Sequence, residues 1–121
     1  MRPAILACSV VHCSAVGSAS PARSSAAISL AIRAKFLDDL VRRFIAAHPD
    51  AIVLHLGCGL DRRITRVDPP ARIRWFDLDY PDVIDIRRGF YPARDGYTMI
   101  GSSVTEAAWL EAVPHDGRAI I

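Results

Sequence analysis

The stretch from Ala51 to Asp61 restricts the fold more than any other part of this sequence. It reads Ala-Ile-Val-Leu-His-Leu-Gly-Cys-Gly-Leu-Asp, so a run of apolar and β-branched residues stops at two glycines and an acid. Such a run is typical of a buried parallel strand, and glycines directly after it let the backbone bend sharply and approach a ligand. The sequence therefore predicts a strand over Ile52–Leu56 that enters a tight turn at Gly57, Cys58 and Gly59.

A second strand-like run, from Ile73 to Leu78, ends at Asp79, about 20 residues after Gly59. Asp77 and Asp79 are two positions apart, so both side chains are expected on the same side of this strand. A glycine turn after one strand and an acid at the end of the next is the arrangement that holds a nucleoside, with the carboxylate on the ribose hydroxyls. The alternative for Asp79 is an ordinary turn acid.

The third glycine of the dinucleotide-binding pattern is missing, because Arg62 stands at its position. That glycine normally allows close helix–strand packing beside a pyrophosphate. S-adenosylmethionine carries no phosphate, so its site needs the close backbone and the ribose acid but no anion cradle. The pattern therefore favours a methyl donor over NAD or FAD.

Helices and strands alternate along the rest of the chain. This order predicts an α/β protein with a Rossmann-like parallel sheet and helices on both faces. Right-handed crossovers give the strand order 3-2-1-4, the N-terminal half of a doubly wound sheet with the fourth strand at one edge. The further predicted elements are helices at Ala26–His48, Leu60–Arg66, Pro81–Phe90 and Glu106–Ala112, and strands at Tyr97–Gly101 and Arg118–Ile121.

Three local details accompany these elements. Asp61 is expected in the first turn of the second helix, where the helix dipole favours an acid, and Thr105 is expected to cap the fourth helix. The first helix is expected to bury one apolar stripe. That stripe comprises Ile32, Phe36, Leu40, Val41, Phe44 and Ile45.

Composition narrows the class of protein further. The chain has 121 residues, 51% of them hydrophobic, and a net charge of +2, which fits one small domain and offers no basic stripe for nucleic acid. No run of about 20 apolar residues predicts a membrane span. The cysteines are Cys8, Cys13 and Cys58, which cannot all pair, so a reduced, cytoplasmic setting is expected.

Residues 1–25 are predicted to form a loose N-terminal arm, and residues 26–121 the cofactor-binding domain. Met1–Ala22 loosely imitates a secretory signal, but its apolar run is short and interrupted. His12 between Cys8 and Cys13 does not match the spacing of common zinc sites, so no metal site is predicted.

Several motifs between Ile28 and Ile121, taken in order, resemble the leucine carboxyl methyltransferase family, and most closely its bacterial branch of polyketide-type O-methyltransferases. The order and spacing of these motifs make the resemblance more specific than any one of them. They are Phe36-Leu37-Asp38-Asp39, Ala47-His48-Pro49-Asp50, Leu56-Gly57-Cys58-Gly59-Leu60-Asp61-Arg62-Arg63, Trp75-Phe76-Asp77-Leu78-Asp79-Tyr80-Pro81-Asp82-Val83-Ile84, Gly101-Ser102-Ser103-Val104 and Trp109-Leu110.

The resemblance implies a class I methyltransferase fold, S-adenosylmethionine as the cofactor and a small-molecule acceptor that carries a carboxylate or a hydroxyl. Arg33 is similar to the family arginine that contacts the methionine carboxylate of the cofactor, and Gly57 to the first glycine of the turn. Asp79 is similar to the acid on the ribose, and Ser103 and Val104 stand where the family contacts the adenine.

No catalytic base is predicted, although His55 and His115 are the candidates. A lone histidine in a buried strand is more often a hydrogen-bonded core residue, and a carboxylate acceptor needs no base. Cys58 would lie near the sulfonium, where its small size matters more than its nucleophilicity.

The chain departs from the family pattern in three ways. Arg62 replaces the threonine that usually follows Gly-Leu-Asp, residues before Ile28 do not resemble the family's substrate-covering segment, and the chain ends before the next acidic motif. We therefore expect a chain truncated after the fourth strand, the cofactor-binding half of an O-methyltransferase. Two alternatives stay open: a non-catalytic remnant or interaction module that folds by pairing its open edge with a partner, and an NAD-linked oxidoreductase fragment.

Overall fold

The computed structural model of the protein describes residues 21–121, with side chains from Ser25 onward. Most of the predicted N-terminal arm lies outside these residues, as do the signal-like run and the Cys8, His12 and Cys13 group. The helices are α1 Pro21–Ala47, α2 Arg63–Val67, α3 Pro81–Arg88 and a 3₁₀ helix Ala107–Ala112, and the strands are β1 Ile52–Leu56, β2 Arg74–Asp79, β3 Tyr97–Gly101 and β4 Ala119–Ile120.

The four strands form one parallel sheet in the order β3-β2-β1-β4. This confirms the predicted α/β fold and its strand order. Leu56 lies beside Leu78, and Asp79 lies beside Gly101, so the carboxyl ends of β1, β2 and β3 meet at one edge of the sheet. Right-handed crossovers on a twisted sheet produce this order, and they bring the glycine turn and the acid after β2 to the same edge.

Alternate residues of β1 enter two separate apolar layers, because successive strand side chains point to opposite faces. Val53 packs in the layer beneath α1, together with Val41 and Ile45 of that helix. Ile52 and Leu54 pack in the layer on the other face, which contains Trp109 of the 3₁₀ helix. The sheet is therefore covered on both faces, as the alternation of elements predicts.

The predicted single stripe on α1 is wrong for its first part. Val41 and Ile45 are buried, but Ile32 and Phe36 are 64% and 60% exposed. Residues nine positions apart lie two and a half turns apart on a helix of 3.6 residues per turn, so Ile32 and Val41 face opposite directions. Residues taken at intervals of four rotate gradually around a helix. The predicted stripe therefore combined residues from two different faces of α1. Within the described residues the helix also includes Pro21 to Ser25, which precede the predicted Ala26.

Two predicted details after the strands differ from the structure. Helix α2 begins at Arg63, so Asp61 precedes the helix instead of occupying its first turn. The fourth helix is a 3₁₀ helix without a side-chain cap, and the Thr105 hydroxyl instead lies 2.8 Å from the Ser103 hydroxyl. None of the helices in residues 21–121 combines the length and the apolar character needed to cross a membrane.

Candidate functional site

The turn after β1 is held against the end of β2. Gly57 and Gly59 have φ angles of 63° and 50°, in the left-handed region that favours glycine. The N–H groups of Gly57 and Cys58 both donate to the carbonyl oxygen of Leu78, at 2.8 and 3.2 Å. A Cβ placed on Gly59 would meet no described atom within 4 Å, so this residue faces open space.

Asp79 contacts the turn directly. Its Oδ2 accepts a 2.7 Å hydrogen bond from the N–H of Gly59, and its Oδ1 accepts one of 2.8 Å from the N–H of Tyr80. A carboxylate offers about four acceptor positions, so two hydrogen bonds leave Asp79 able to accept others. The acid and the turn therefore form one unit at the edge of the sheet.

A cavity of about 680 Å³ lies between α1 and the carboxyl end of β1. Arg33, Gly57, Cys58 and Gly59 all line it, together with aliphatic side chains from α1. Arg33 is an exposed residue of α1, whereas the glycines belong to the turn after β1. The structure thus brings the predicted arginine and the predicted turn to one space, whose polar groups are few and whose walls are mostly apolar.

Ser103 and Val104 occupy a neighbouring position beyond the end of β3. The N–H of Ser102 donates to the carbonyl oxygen of Asp79 at 2.9 Å, and the indole Nε1 of Trp109 donates to the carbonyl oxygen of Val104 at 3.2 Å. Among the described residues, those that line the cavity do not include Asp79, Ser103 or Val104. The predicted residues therefore form two groups, and the contact of Asp79 with Gly59 joins them.

Asp77 is the centre of a buried polar cluster beneath the turn. Its Oδ1 lies 3.0 Å from Nδ1 of His55 and accepts a 2.8 Å bond from Nε1 of Trp75. Its Oδ2 accepts from Nε of Arg87 at 2.8 Å and from the Tyr97 hydroxyl at 2.5 Å. Burial favours the neutral acid, but the hydrogen bond and charge of His55, then Arg87 and Tyr97, outweigh it and lower the pKa of Asp77.

His55 is held in place by these contacts. Its other ring nitrogen, Nε2, lies 3.7 Å from Oδ2 of Asp61, so carboxylates flank the ring on both sides. The side chain is 8% exposed, on the wall of the cavity. This agrees with the interpretation of His55 as a hydrogen-bonded core residue.

Arg87 is the residue of this region that sequence reasoning missed. Its side chain is fully buried, and burial opposes its charge, but Asp77 outweighs this cost and raises the pKa of Arg87. Its Nη1 donates to the carbonyl oxygens of Gly59 and Asp61, at 3.0 and 2.8 Å. The available signal was its position three residues after Ile84, on the buried face of α3.

A second buried acid lies beside the cavity. Asp38 of α1 accepts from Nε of Arg63 at 3.1 Å and from Nε of Arg66 at 2.5 Å, which fastens α1 to α2. Arg66 also donates to Asp61 at 2.8 Å. Burial raises the pKa of Asp61, but the hydrogen bond and charge of Arg66 outweigh it, so the net shift is downward.

The Cys58 thiol is not a nucleophile in this environment. The side chain is 2% exposed, and burial, followed by the charge of Asp77, raises the pKa of the thiol to about 12. Because the thiolate is the reactive form, the buried thiol stays protonated at neutral pH. Cys58 is thus a small side chain within the turn.

Comparison with known proteins decides the family. The model of the family described as "Leucine carboxyl methyltransferase" matches residues 11–116, most of the chain. The chain belongs to the leucine carboxyl methyltransferase family. The match begins before Ile28, so it covers more of the N-terminal region than the motifs alone indicate.

Two relatives are similar in sequence to this member of the leucine carboxyl methyltransferase family. The "Tetracenomycin polyketide synthesis O-methyltransferase TcmP" of Streptomyces glaucescens is 54% identical over 89 residues, which are 74% of this chain and 33% of that protein. The "S-adenosyl-L-methionine-dependent methyltransferase dpfgK" of Gibberella zeae is 33% identical over 100 residues, 76% of this chain and 34% of the other. The chain spans about a third of the length of these relatives. No solved structure matched.

Family membership and geometry agree on the fold. A parallel sheet in the order β3-β2-β1-β4 with flanking helices is consistent with the Rossmann-like methyltransferase fold of the leucine carboxyl methyltransferase family. In such open sheets ligands bind outside the carboxyl ends of the strands. Gly57, Asp79 and Ser103 lie at this edge.

Proposed function

We propose that this chain is the cofactor-binding part of an S-adenosylmethionine-dependent O-methyltransferase. The observation that carries the proposal is the hydrogen bond between Gly59 and Asp79 beside a cavity that Arg33 also lines. The relatives TcmP and dpfgK carry O-methyltransferase and S-adenosylmethionine-dependent methyltransferase in their names, and their resemblance to this chain supports it.

The residues present suit this cofactor. The open space over Gly59 leaves room for a ligand close to the backbone, and Asp79 keeps acceptor positions for two ribose hydroxyls. Arg33 supplies a cation for the carboxylate of the methionine portion. Ser103 and Val104, beyond Asp79, would border the adenine with a backbone N–H and a short apolar side chain.

S-adenosylmethionine supplies an activated methyl group, so the protein mainly has to orient the reactants and exclude water. The apolar walls of the cavity suit the second task, since low polarity around the reacting groups keeps water away. Cys58 leaves space beside the turn, because its side chain is small and uncharged.

The acceptor is proposed to be a small molecule with a carboxylate or a hydroxyl group. A carboxylate would need no base, whereas a phenol would need one. His55 lies on the wall of the cavity with Nδ1 3.0 Å from Asp77, an arrangement that would orient its ring for proton transfer from a hydroxyl acceptor. A carboxylate acceptor requires no such proton transfer and is therefore the simpler match to the residues of this chain.

The proposal is tested by calorimetric titration of the chain with S-adenosylhomocysteine. Asp79→Ala should weaken binding by about tenfold or more, because a charged hydrogen bond contributes about 1.5–3 kcal/mol and 1.4 kcal/mol is a factor of ten. Asp79→Asn should also weaken it, while its amide oxygen can still accept from Gly59.

The matched control is Asp85→Ala, which removes an exposed acid of α3 that pairs with Arg88 at the surface. It should leave the affinity unchanged. Equal affinities for the wild type and Asp79→Ala, with both proteins folded, would contradict the role of Asp79.

A second candidate function is a partner-dependent interaction module. It is supported by Ile28, Ile32 and Phe36, which are large apolar residues exposed on the outer face of α1. A folded wild-type chain that does not bind S-adenosylhomocysteine would favour this candidate. Membership in the methyltransferase family leaves the NAD-linked alternative without support.

A further inference from the structure

Three successive carbonyl groups in the turn after β1 receive hydrogen bonds from one side. The carbonyl oxygens of Gly59 and Asp61 both accept from Nη1 of Arg87, at 3.0 and 2.8 Å. The carbonyl oxygen of Leu60, between them, accepts from the Tyr91 hydroxyl at 2.9 Å. The backbone of this segment is therefore held by side chains that come from α3 and the residues after it.

Arg87 and Tyr91 act as one unit. The guanidinium carbon of Arg87 lies 4.2 Å from the centre of the Tyr91 ring, within the range of a cation–π interaction. The N–H of Tyr91 donates to the carbonyl oxygen of Arg87 at 3.1 Å, which fixes Tyr91 to the end of α3. The opposite edge of the guanidinium is bound by Asp77, through Nε at 2.8 Å and through Nη2. Asp77 thus orients the guanidinium of Arg87, and Arg87 in turn orients the ring of Tyr91.

We infer that Arg87 and Tyr91 are positioning residues that set the geometry of the glycine turn for the cofactor. The inference rests on the proposed function, because it assigns these residues to the site proposed there. The N–H of Gly59 is aimed at Asp79 while its carbonyl is held by Arg87, so the peptide groups on both sides of this glycine are fixed.

Such support matters because Gly59 has the freest backbone of any residue type. An unsupported glycine turn would sample several conformations, and ordering it would oppose ligand binding. A guanidinium is suited to this task, since its planar fork can serve a carboxylate on one edge and carbonyl groups on another. Lysine has the same charge but lacks the fork.

The deciding variant is Arg87→Lys, studied in the full chain. The ammonium group can still pair with Asp77, but it cannot also reach both carbonyl groups. We expect binding of S-adenosylhomocysteine to weaken by about tenfold, the lower end of what loss of a hydrogen bond behind the binding residues costs at metal sites. In amide hydrogen exchange followed by nuclear magnetic resonance, the Gly59 amide should lose protection while Leu54 in β1 retains it. A purely structural role would lower both protections together.

Tyr91→Phe is the milder variant, and it decides the question if Arg87→Lys does not fold. It removes only the hydroxyl that reaches Leu60 and keeps the ring against Arg87. We expect the affinity for S-adenosylhomocysteine to fall by about threefold, a smaller loss than in Arg87→Lys, because one neutral hydrogen bond contributes less than a charged pair. Arg88→Lys is the matched control, since Arg88 is exposed and pairs with Asp85. It should bind like the wild type.

The outcomes separate this inference from the proposed function. If the wild type does not bind S-adenosylhomocysteine, the proposed function is wrong, and selective loss of Gly59 protection in Arg87→Lys still supports positioning of the turn. If the wild type binds and the folded Arg87→Lys and Tyr91→Phe variants bind equally well, the inference is overturned. Unchanged protection of Gly59 in both variants would overturn it as well.

Discussion

At the scale of single residues, the partners of a buried side chain decide what it can do chemically. Cys58 and Asp77 lie close together, yet their pKa values move in opposite directions, upward for the thiol and downward for the acid. The acid has His55, Arg87 and Tyr97 to stabilise its charge, whereas burial leaves the thiolate without comparable support. A carboxylate is therefore kept charged at the same depth where a thiol is kept neutral.

Cys58 is accordingly expected to resist alkylation. At pH 8 a free thiol with a pKa of about 8.5 is partly ionised. The native Cys58 thiol, with a pKa of about 12, should react with iodoacetamide at least about a hundredfold more slowly. Mass spectrometry of the peptide that contains Cys58 measures this rate separately from the other cysteines. Rapid labelling of the folded chain would contradict the burial of this thiol.

At the scale of elements, charged side chains add to the apolar packing that joins α1 and α2. Helix α2 is only one or two turns long, yet Arg63 and Arg66 both bind Asp38 on α1. Asp38 is 3% exposed, and the two arginines supply the hydrogen bonds to its buried oxygens. This connection holds α1 against the short helix that follows the turn, and so forms one wall of the cavity.

Asp38→Asn should therefore destabilise the fold. Removing one partner of a buried ion pair typically costs about 3–5 kcal/mol, and Arg63 would lose its charged partner on α1 and keep only Asp61, at 3.4 Å. Arg66 is more exposed and retains Asp61 as a partner. We therefore expect urea unfolding to show a loss of unfolding free energy at the lower end of this range, about 3 kcal/mol. Asp39→Asn, at the neighbouring exposed acid, is the control and should unfold like the wild type. Equal effects of the two variants would contradict the proposed fastening.

At the scale of the whole molecule, acids with positively charged neighbours couple stability to pH. Asp77 and Asp61 both have lowered pKa values in the folded chain, relative to an unfolded value of about 3.9. Below that value the unfolded chain binds more protons than the folded chain. The stability that these acids contribute is therefore present above about pH 4, and it is lost as the pH falls through their folded-state pKa values.

Urea unfolding at a series of pH values tests this linkage. The free energy of unfolding should change little because of these acids between pH 7 and about pH 5, and should fall below about pH 4. Asp77→Asn should be less stable than the wild type at pH 7 but should show a shallower decline in acid. A decline in the variant as steep as in the wild type would show that Asp77 is not the coupled group.

Local patterns in the sequence were sufficient to predict much of the fold. The strands at Ile52–Leu56 and Tyr97–Gly101 have their predicted bounds, and the strand order follows from short right-handed crossovers. The glycine turn and Asp79 were likewise found from spacing, because a turn and a strand end are short-range features. Their roles toward a cofactor remain predictions.

The sequence by itself determined which segments become strands and helices, and which of their ends share one edge of the sheet. The tertiary structure alone decided that Arg87 is buried against Asp77, that Asp38 binds two arginines, and that Ile32 faces outward. The reason is physical: backbone preferences and hydrophobic periodicity act over a few residues, whereas pairing between charges depends on distances that only packing sets. The sequence does not distinguish a buried arginine from a surface arginine, because the acid that pairs with it is known only from the folded structure.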